Sequence, residues 1–312
     1  MATETPWAPT IVRPADVDVA ANATGLKEHL ESIDLDAMLI ERKALVWRGF
    51  DLERDEFDAI VDLLLPARWA YRHGNSPRTK VGDNIYTSTE YPPEYTISMH
   101  NELSYAPRYP SRLLFYCQQA PLTGGATPVV DGAEWLASLD DEVRTAFAAG
   151  VRYRQNLHDG LGFGKSWQET FESDSRAEVE QFLSETGAEW KWRSDGGLRV
   201  EQPGPSTIVD ERTGGEVWFN QADQWHAASL GDDTAAALAA IMPEDDMPQS
   251  VVFADGSPVP VEYVTQVRER GLAEAVDVAW SQGDLMLIDN VLVGHGRRPF
   301  TGPRRVLVAM AG

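Results

Sequence analysis

Apolar positions along the chain change period several times, and each change marks a different element. Residues 25–65 read mostly as helix. In DLERDEFDAIVDLLL (51–65), acidic residues lead into Phe57, Ile60, Val61 and Leu64 at helical spacing, the signature of a helix start and its buried face. The run ALVWRGF (44–50) interrupts them as a short strand ending in Gly49. From about 84 to 131 the texture turns to β-branched and aromatic runs punctuated by Pro and Gly: NIYTSTEY, TISMHNEL, SRLLFYCQQA and ATPVVDG. The Gly124–Gly125 pair marks a turn or a tight backbone approach.

Helical spacing returns at 133–149, and GVRYRQNL (150–157) reads as a strand. Residues 158–200 are ambiguous, apart from a helix at 176–187 that stops on Gly187. Beyond them come EVWFNQADQWHAAS (216–229), an Ala-rich helix near 232–241 and a mixed segment to 277. The runs LMLIDNVLVGHG and RRVLVAMAG are strands joined by the turn-like RRPFTGP. Helices, strands, a mixed insertion and strands again lack the regular alternation of a parallel α/β sheet. The order predicts a mainly β fold with flanking helices, for which a double-sheet jelly roll is one solution.

Composition narrows this picture in a few places. A chain of 312 residues, 43% of them hydrophobic, can bury a large core, and no linker, repeat or low-complexity tract divides it. One domain over 1–312 is the expectation, with an insertion or lid at about 158–277. A net charge of −22 disfavours nucleic acid and anionic membranes as partners. Cys117 is the sole cysteine, which rules out an intramolecular disulfide or a Cys-based zinc site and suits a buried small hydrophobe. The start of the chain lacks a signal-peptide pattern and no apolar run is long enough to span a membrane, so a soluble cytoplasmic protein is expected. A homo-oligomer is compatible with all of this.

The candidate chemistry begins in TISMHNELSYA (96–106), where His100 and Glu102 stand in an otherwise apolar run. In an extended strand, residues i and i+2 share a face, so imidazole and carboxylate would point into one space. Alone, this pair reads as a hydrogen-bonded histidine beside a surface glutamate. A second site changes that reading: His295 lies between two glycines straight after an apolar strand, a place where backbone or ligand comes close. Ten positions on, Arg305 opens the final strand, and an inward guanidinium there would need an anion. Strand alternation sends Arg304 to the opposite face, toward solvent. Two histidines and one carboxylate make the facial triad of non-haem Fe(II) oxygenases, which leaves open positions for other ligands.

These residues resemble the taurine/2,4-D dioxygenase (TauD/TfdA) superfamily of Fe(II)- and 2-oxoglutarate-dependent oxygenases. The family pattern of H-x-[DE], a Thr after a Gly-rich turn, a distal His and a following Arg reads here as His100-x-Glu102, Thr127 in GGAT, His295 and Arg305. LVWRGF and DLMLIDN are similar to the family's usual flanks. SPRTKV (76–81), YTSTEYP (86–92), MHNELSYA (99–106), GGATPVVDG (124–132) and VWFNQADQWH (217–226) resemble its syringomycin-biosynthesis hydroxylase-like subgroup. The resemblance implies a double-stranded β-helix in which His100, Glu102 and His295 bind Fe(II). Arg305 would pair with the far carboxylate of 2-oxoglutarate and Thr127 would hydrogen-bond to it. It also implies O₂ as second cosubstrate, succinate and CO₂ as products, and hydroxylation of an unactivated C–H bond. Halogenases of the superfamily carry Ala or Gly at the carboxylate position, so Glu102 points to hydroxylation.

The subgroup implies a small amino-acid-like substrate in natural-product biosynthesis, free or tethered to a carrier protein. Carrier proteins are usually acidic, so the charge of −22 favours a free, cationic substrate. Candidate substrate contacts are Arg78, Asn101, Tyr105, Asn220 and Gln221. Trp218 and Trp225 read as core and His226 as structural, and His29, His73 and His158 have no spacing that joins them to the cluster. The same iron site also supports desaturation, epoxidation or cyclisation. A divalent-metal hydrolase or isomerase would leave Arg305 without a role, and a non-enzymatic binding module would leave the whole constellation without one.

Overall fold

Strands with two apolar faces form the centre of the molecule. The computed structural model describes residues 6–69, 78–160, 162, 164–231, 237, 238 and 240–312. The larger sheet has seven strands in the order Thr10–Val12, Ala44–Trp47, Leu285–Asp289, Arg112–Gln119, Arg305–Ala311, Ile85–Thr87 and Lys80–Gly82. Only its first pair is parallel. The smaller sheet runs Val276–Val278, Thr127–Asp131, Val293–Arg297, Ile97–His100, antiparallel throughout.

Parity along the strands decides what each face meets. Leu285, Leu287, Leu114, Tyr116 and Leu307 turn outward, under the helices Ala23–Ser32, Leu35–Arg42 and Arg54–Leu64. Those helices supply Leu26, Leu30, Leu39, Phe57, Ile60, Val61 and Leu64, and Phe57 stacks on Tyr116 with ring centroids 4.4 Å apart. Met286, Ile288, Phe115, Cys117, Val306 and Val308 turn the other way and meet Val129 and Val293 of the smaller sheet. Burial on both faces explains why these strands read as continuous apolar runs, not as alternation. Two sheets face to face, with helices outside, make the expected double-sheet jelly roll.

The outer face of the smaller sheet carries Met99 and Val130 against Trp135, Val264 and Val267 of the helices Gly132–Ser138 and Val261–Glu274. A third sheet, ordered Glu189–Trp192, Leu198–Gly204, Val151–Leu157, Gln249–Phe253, packs on helices Trp167–Phe171 and Arg176–Glu185. It resolves the ambiguous stretch 158–200 into two helices and a hairpin. The single helix expected at 133–149 is two, Gly132–Ser138 and Asp141–Phe147, with Leu139 extended between them. The run Asp140-Asp141-Glu142 favours a new helix N-terminus there, where negative charge meets the positive end of the macrodipole. The mixed segment up to 277 conceals the 14-residue helix Val261–Glu274. The expected Ala-rich helix near 232–241 falls partly outside the described residues, and His73 wholly so.

Candidate active site

The strand Ile97–His100 forms an edge of the smaller sheet and lies antiparallel to Val293–Arg297, with His295 directly opposite His100. Glycines make that approach possible. A Cβ on Gly296 would come within 2.5 Å of the Ile97 carbonyl oxygen, and one on Gly294 within 3.0 Å of the Trp135 ring. The two imidazole rings sit 4.3 Å apart, centroid to centroid.

Glu102 reaches the same space by a route other than strand alternation. The strand ends at His100, and Glu102 lies in the turn that follows, where Leu103 takes φ of 57°. Asn290 holds this turn from both sides: its Oδ1 accepts from the Glu102 amide at 2.7 Å, and its Nδ2 donates to the Glu102 carbonyl at 3.0 Å. The ligand atoms of His100, Glu102 and His295 then lie within 4.8 Å of one another, and all three side chains are buried.

This donor set fits a borderline divalent metal. The His100 Nδ1 is 2.9 Å from the Ser98 carbonyl, so the proton sits there and Nε2 is left to ligate. The His295 Nε2 lies 3.9 Å from Glu102 Oε2, while its Nδ1 is enclosed without a hydrogen-bond partner. Burial pushes His100 below the ordinary histidine range, and pushes His295 well below it with help from neighbouring His100 and Arg78. Both rings are therefore neutral at physiological pH, as metal ligation requires. Arg78 closes the cluster, its Nη2 donating to Glu102 Oε2 at 2.5 Å.

Beside the cluster is a cleft of about 30 Å³ lined by Arg78, Ser88, His100, Thr127, His295 and Arg304 among others. The structure reverses the expected order of the two arginines. Arg304 shares the parity of Val306 and Val308 and turns in between the sheets, whereas Arg305 is exposed. A bulge between Arg305 and Val306 shifts the register at this strand end. Arg304 Nε donates to the Gly125 carbonyl at 3.0 Å, Nη1 to Ser88 Oγ at 3.3 Å and Nη2 to Thr127 Oγ1 at 3.5 Å. Trp280 Nε1 fixes the same Thr127 hydroxyl at 3.0 Å. The positive φ of Gly124 and Gly125 (66° and 68°) shapes the turn that presents this carbonyl. Among the described residues no carboxylate pairs with Arg304, and burial, then the charge of Arg297, pushes its pKa down to about 10. A half-buried guanidinium with only neutral acceptors suits an anion.

A larger cavity of about 270 Å³ is lined by His100 and Glu102 together with Tyr105, Gln221, Gln224 and Trp225. Of the expected substrate contacts, Tyr105 and Gln221 line this cavity and Arg78 lines the smaller cleft. Asn101 and Asn220 line neither cavity. Asn101 Nδ2 donates to the Asn290 carbonyl at 2.7 Å while its Oδ1 is enclosed without a partner, and Asn220 bridges Ser206 and Ala222, so neither amide reaches a cavity. His226 is structural, bonding the Ala228 amide and the Val259 carbonyl. Gln224 was not singled out in the sequence. Its signal is its place three residues after Gln221, one turn along the short helix Ala222–Trp225.

A jelly roll whose facing sheets enclose two histidines and a carboxylate, with a half-buried cation alongside, is the framework of a non-haem iron oxygenase. The chain belongs to the taurine catabolism dioxygenase TauD, TfdA family, whose model matches residues 5–310. It is thus an Fe(II)- and 2-oxoglutarate-dependent dioxygenase. It is 34% identical over 296 residues to the dapdiamide synthesis protein DdaC of Enterobacter agglomerans, covering 94% of this chain and 89% of that protein. It is 31% identical over 317 residues to the clavaminate synthase-like protein At3g21360 of Arabidopsis thaliana, covering 97% and 93%. Among solved structures, asparagine oxygenase in complex with Fe(II), 2S,3S-3-hydroxyasparagine and succinate superposes with a TM-score of 0.54 at 14% identity, over 92% of this chain and 79% of that one. PvcB, an Fe, alpha-ketoglutarate dependent oxygenase from an isonitrile synthetic pathway, gives 0.51 at 12% identity, over 96% and 84%. No helix of the described residues is long and apolar enough to cross a membrane.

Proposed function

We propose that the protein hydroxylates an unactivated C–H bond of an amino acid or amino-acid-derived metabolite in natural-product biosynthesis. The observation that carries hydroxylation is Glu102: its carboxylate completes the ligand cluster and occupies the position that a halogenase leaves open. In this reading His100, Glu102 and His295 hold Fe(II), and the 2-oxoglutarate assignment passes from Arg305 to Arg304, with Thr127 beside it. Iron and 2-oxoglutarate, when bound, supply the oxidising chemistry and yield succinate and CO₂. The chain's own residues do the rest. Burial keeps both imidazoles neutral and Ser98 fixes the His100 tautomer. Arg304 offers its charge to the far carboxylate of the cosubstrate. The aromatic walls of the larger cavity exclude water and hold the substrate C–H bond toward the cluster.

The substrate class draws support from the relatives, whose names place them in dapdiamide synthesis, an isonitrile pathway and asparagine oxidation. The test is anaerobic addition of Fe(II) and 2-oxoglutarate to the purified protein. A weak visible charge-transfer band appears in the wild type and is lost in His295→Ala. Under ¹⁸O₂ with an accepted substrate, one labelled oxygen enters succinate and one the product. A folded wild-type protein that forms no band, or that turns over without consuming 2-oxoglutarate, overturns the reading.

A further inference from the structure

The larger cavity carries a recognition device on two glutamines. Gln221 Nε2 donates to the Asn101 carbonyl at 2.8 Å, and Gln224 Nε2 donates to the Ser98 carbonyl at 3.1 Å, the same carbonyl that accepts from His100 Nδ1. Each amide nitrogen is thereby engaged by the segment that carries His100, and this fixes which end of each amide is which. Neither carbonyl oxygen accepts a hydrogen bond from a described residue, and neither is among the enclosed polar atoms without a partner, so both are accessible acceptors on residues that line the cavity. Gln221 is 5% exposed, so its oxygen is an acceptor held in a nearly closed site.

The rest of the cavity suits the same kind of ligand. Among the described lining residues there is no lysine or arginine. Tyr91, Tyr105 and Trp225 contribute aromatic surface, with Tyr105 and Trp225 rings 4.9 Å apart, and aromatic faces attract cations. The chain's charge of −22 raises the local concentration of cations. Acceptor oxygens, aromatic faces and an absence of lining cations complement a group rich in N–H donors and positive charge.

We infer that Gln221 and Gln224 form a two-oxygen cradle for the protonated primary amine of the substrate, and so orient it against the His100–Glu102–His295 cluster. This rests on the reading of the cavity as the substrate site. The cradle selects for an intact ammonium: acetylation removes its charge, and trimethylation keeps the charge but removes every N–H.

The test measures binding by isothermal calorimetry on protein loaded with Mn(II) and 2-oxoglutarate, which needs neither turnover nor the visible band. The coded L-amino acids and their carboxamides are titrated, each beside its Nα-acetyl form, and the best binder also as its Nα-trimethyl form. At least one amine binds, and both modifications abolish its binding. Gln221→Met and Gln224→Met each weaken that amine roughly ten- to hundredfold, the worth of a hydrogen bond to a charged group. No binding by any amine, full binding by the acetyl or trimethyl form, or unchanged affinity in the folded Met variants overturns the cradle. The ligand comparisons need no variant, so a variant that fails to fold does not spare the inference. The Fe(II) band is recorded separately: its absence removes the oxygenase reading, whereas its presence without amine binding removes the cradle alone.

Discussion

Arg78 Nη2 lies 2.5 Å from Glu102 Oε2, and both side chains are 4% exposed. A carboxylate so deeply buried needs a positive charge beside it, and without metal Arg78 provides one. Arg78→Met therefore destabilises the metal-free protein by about 3–5 kcal/mol, the usual result of orphaning a buried ion. Mn(II) supplies the missing charge and recovers most of that loss. Thermal unfolding with and without Mn(II) checks this; an equal loss in both conditions sinks it.

The reversed arginine pair gives a paired comparison. Arg304→Met raises the KM for 2-oxoglutarate roughly a hundredfold, since a charge-assisted contact is lost where water cannot replace it. Arg305→Met leaves the KM unchanged, because its side chain is exposed. Succinate formation at varied 2-oxoglutarate distinguishes the two.

Gly296, on the strand that bears His295, lets the His100 strand come close. Gly296→Ala drives a methyl to 2.5 Å from the Ile97 carbonyl oxygen, a backbone atom that cannot step aside as a flexible side chain would. The expected cost is about 1–3 kcal/mol of stability, typical of overpacking. Metal affinity falls as well, because His100 lies on the displaced strand. Urea unfolding and Mn(II) titration read the two effects separately.

Burial holds His29, His100 and His295 below the ordinary value of 6.5. A depressed pKa in the folded state means that the unfolded chain binds more protons in acid. The contribution of these groups to stability is full above about pH 6.5 and is lost as pH falls below it, by at most about 1.4 kcal/mol per pH unit for each group. Urea unfolding of metal-free protein between pH 7.5 and 5.5, in steps of roughly half a unit, checks the sign. Stability that holds level or rises toward acid contradicts it.

The double-sheet core was legible because its strands are apolar on both faces, and the ligand cluster because His-x-Glu and Gly-His-Gly are local patterns. Long-range geometry was less visible. Alternation separates Arg304 from Arg305, but both parities of the last strand are apolar, so the sequence does not say which of them faces the smaller sheet. Glu102 joins His100 through a turn clamped by Asn290, a partner 188 residues away. Asn101 and Asn220 looked like substrate contacts because a polar residue beside a metal motif invites that reading; main-chain carbonyls 14 and 189 residues distant claim them instead. Gln224 escaped notice because its helix is only four residues long, too short to show a period.

The position of Arg305–Ala311 inside the larger sheet, between Arg112–Gln119 and Ile85–Thr87, orders events during synthesis. On the ribosome, residues 85–119 emerge long before the strand that joins them, and His100 waits through nearly two hundred residues for His295. The nascent chain therefore holds unpaired strand edges and an incomplete ligand set until its last strands arrive. Such high sequence separation slows folding and exposes sticky edges to other chains. A metal that takes all three side chains as ligands is fully held only once His295 has paired with His100.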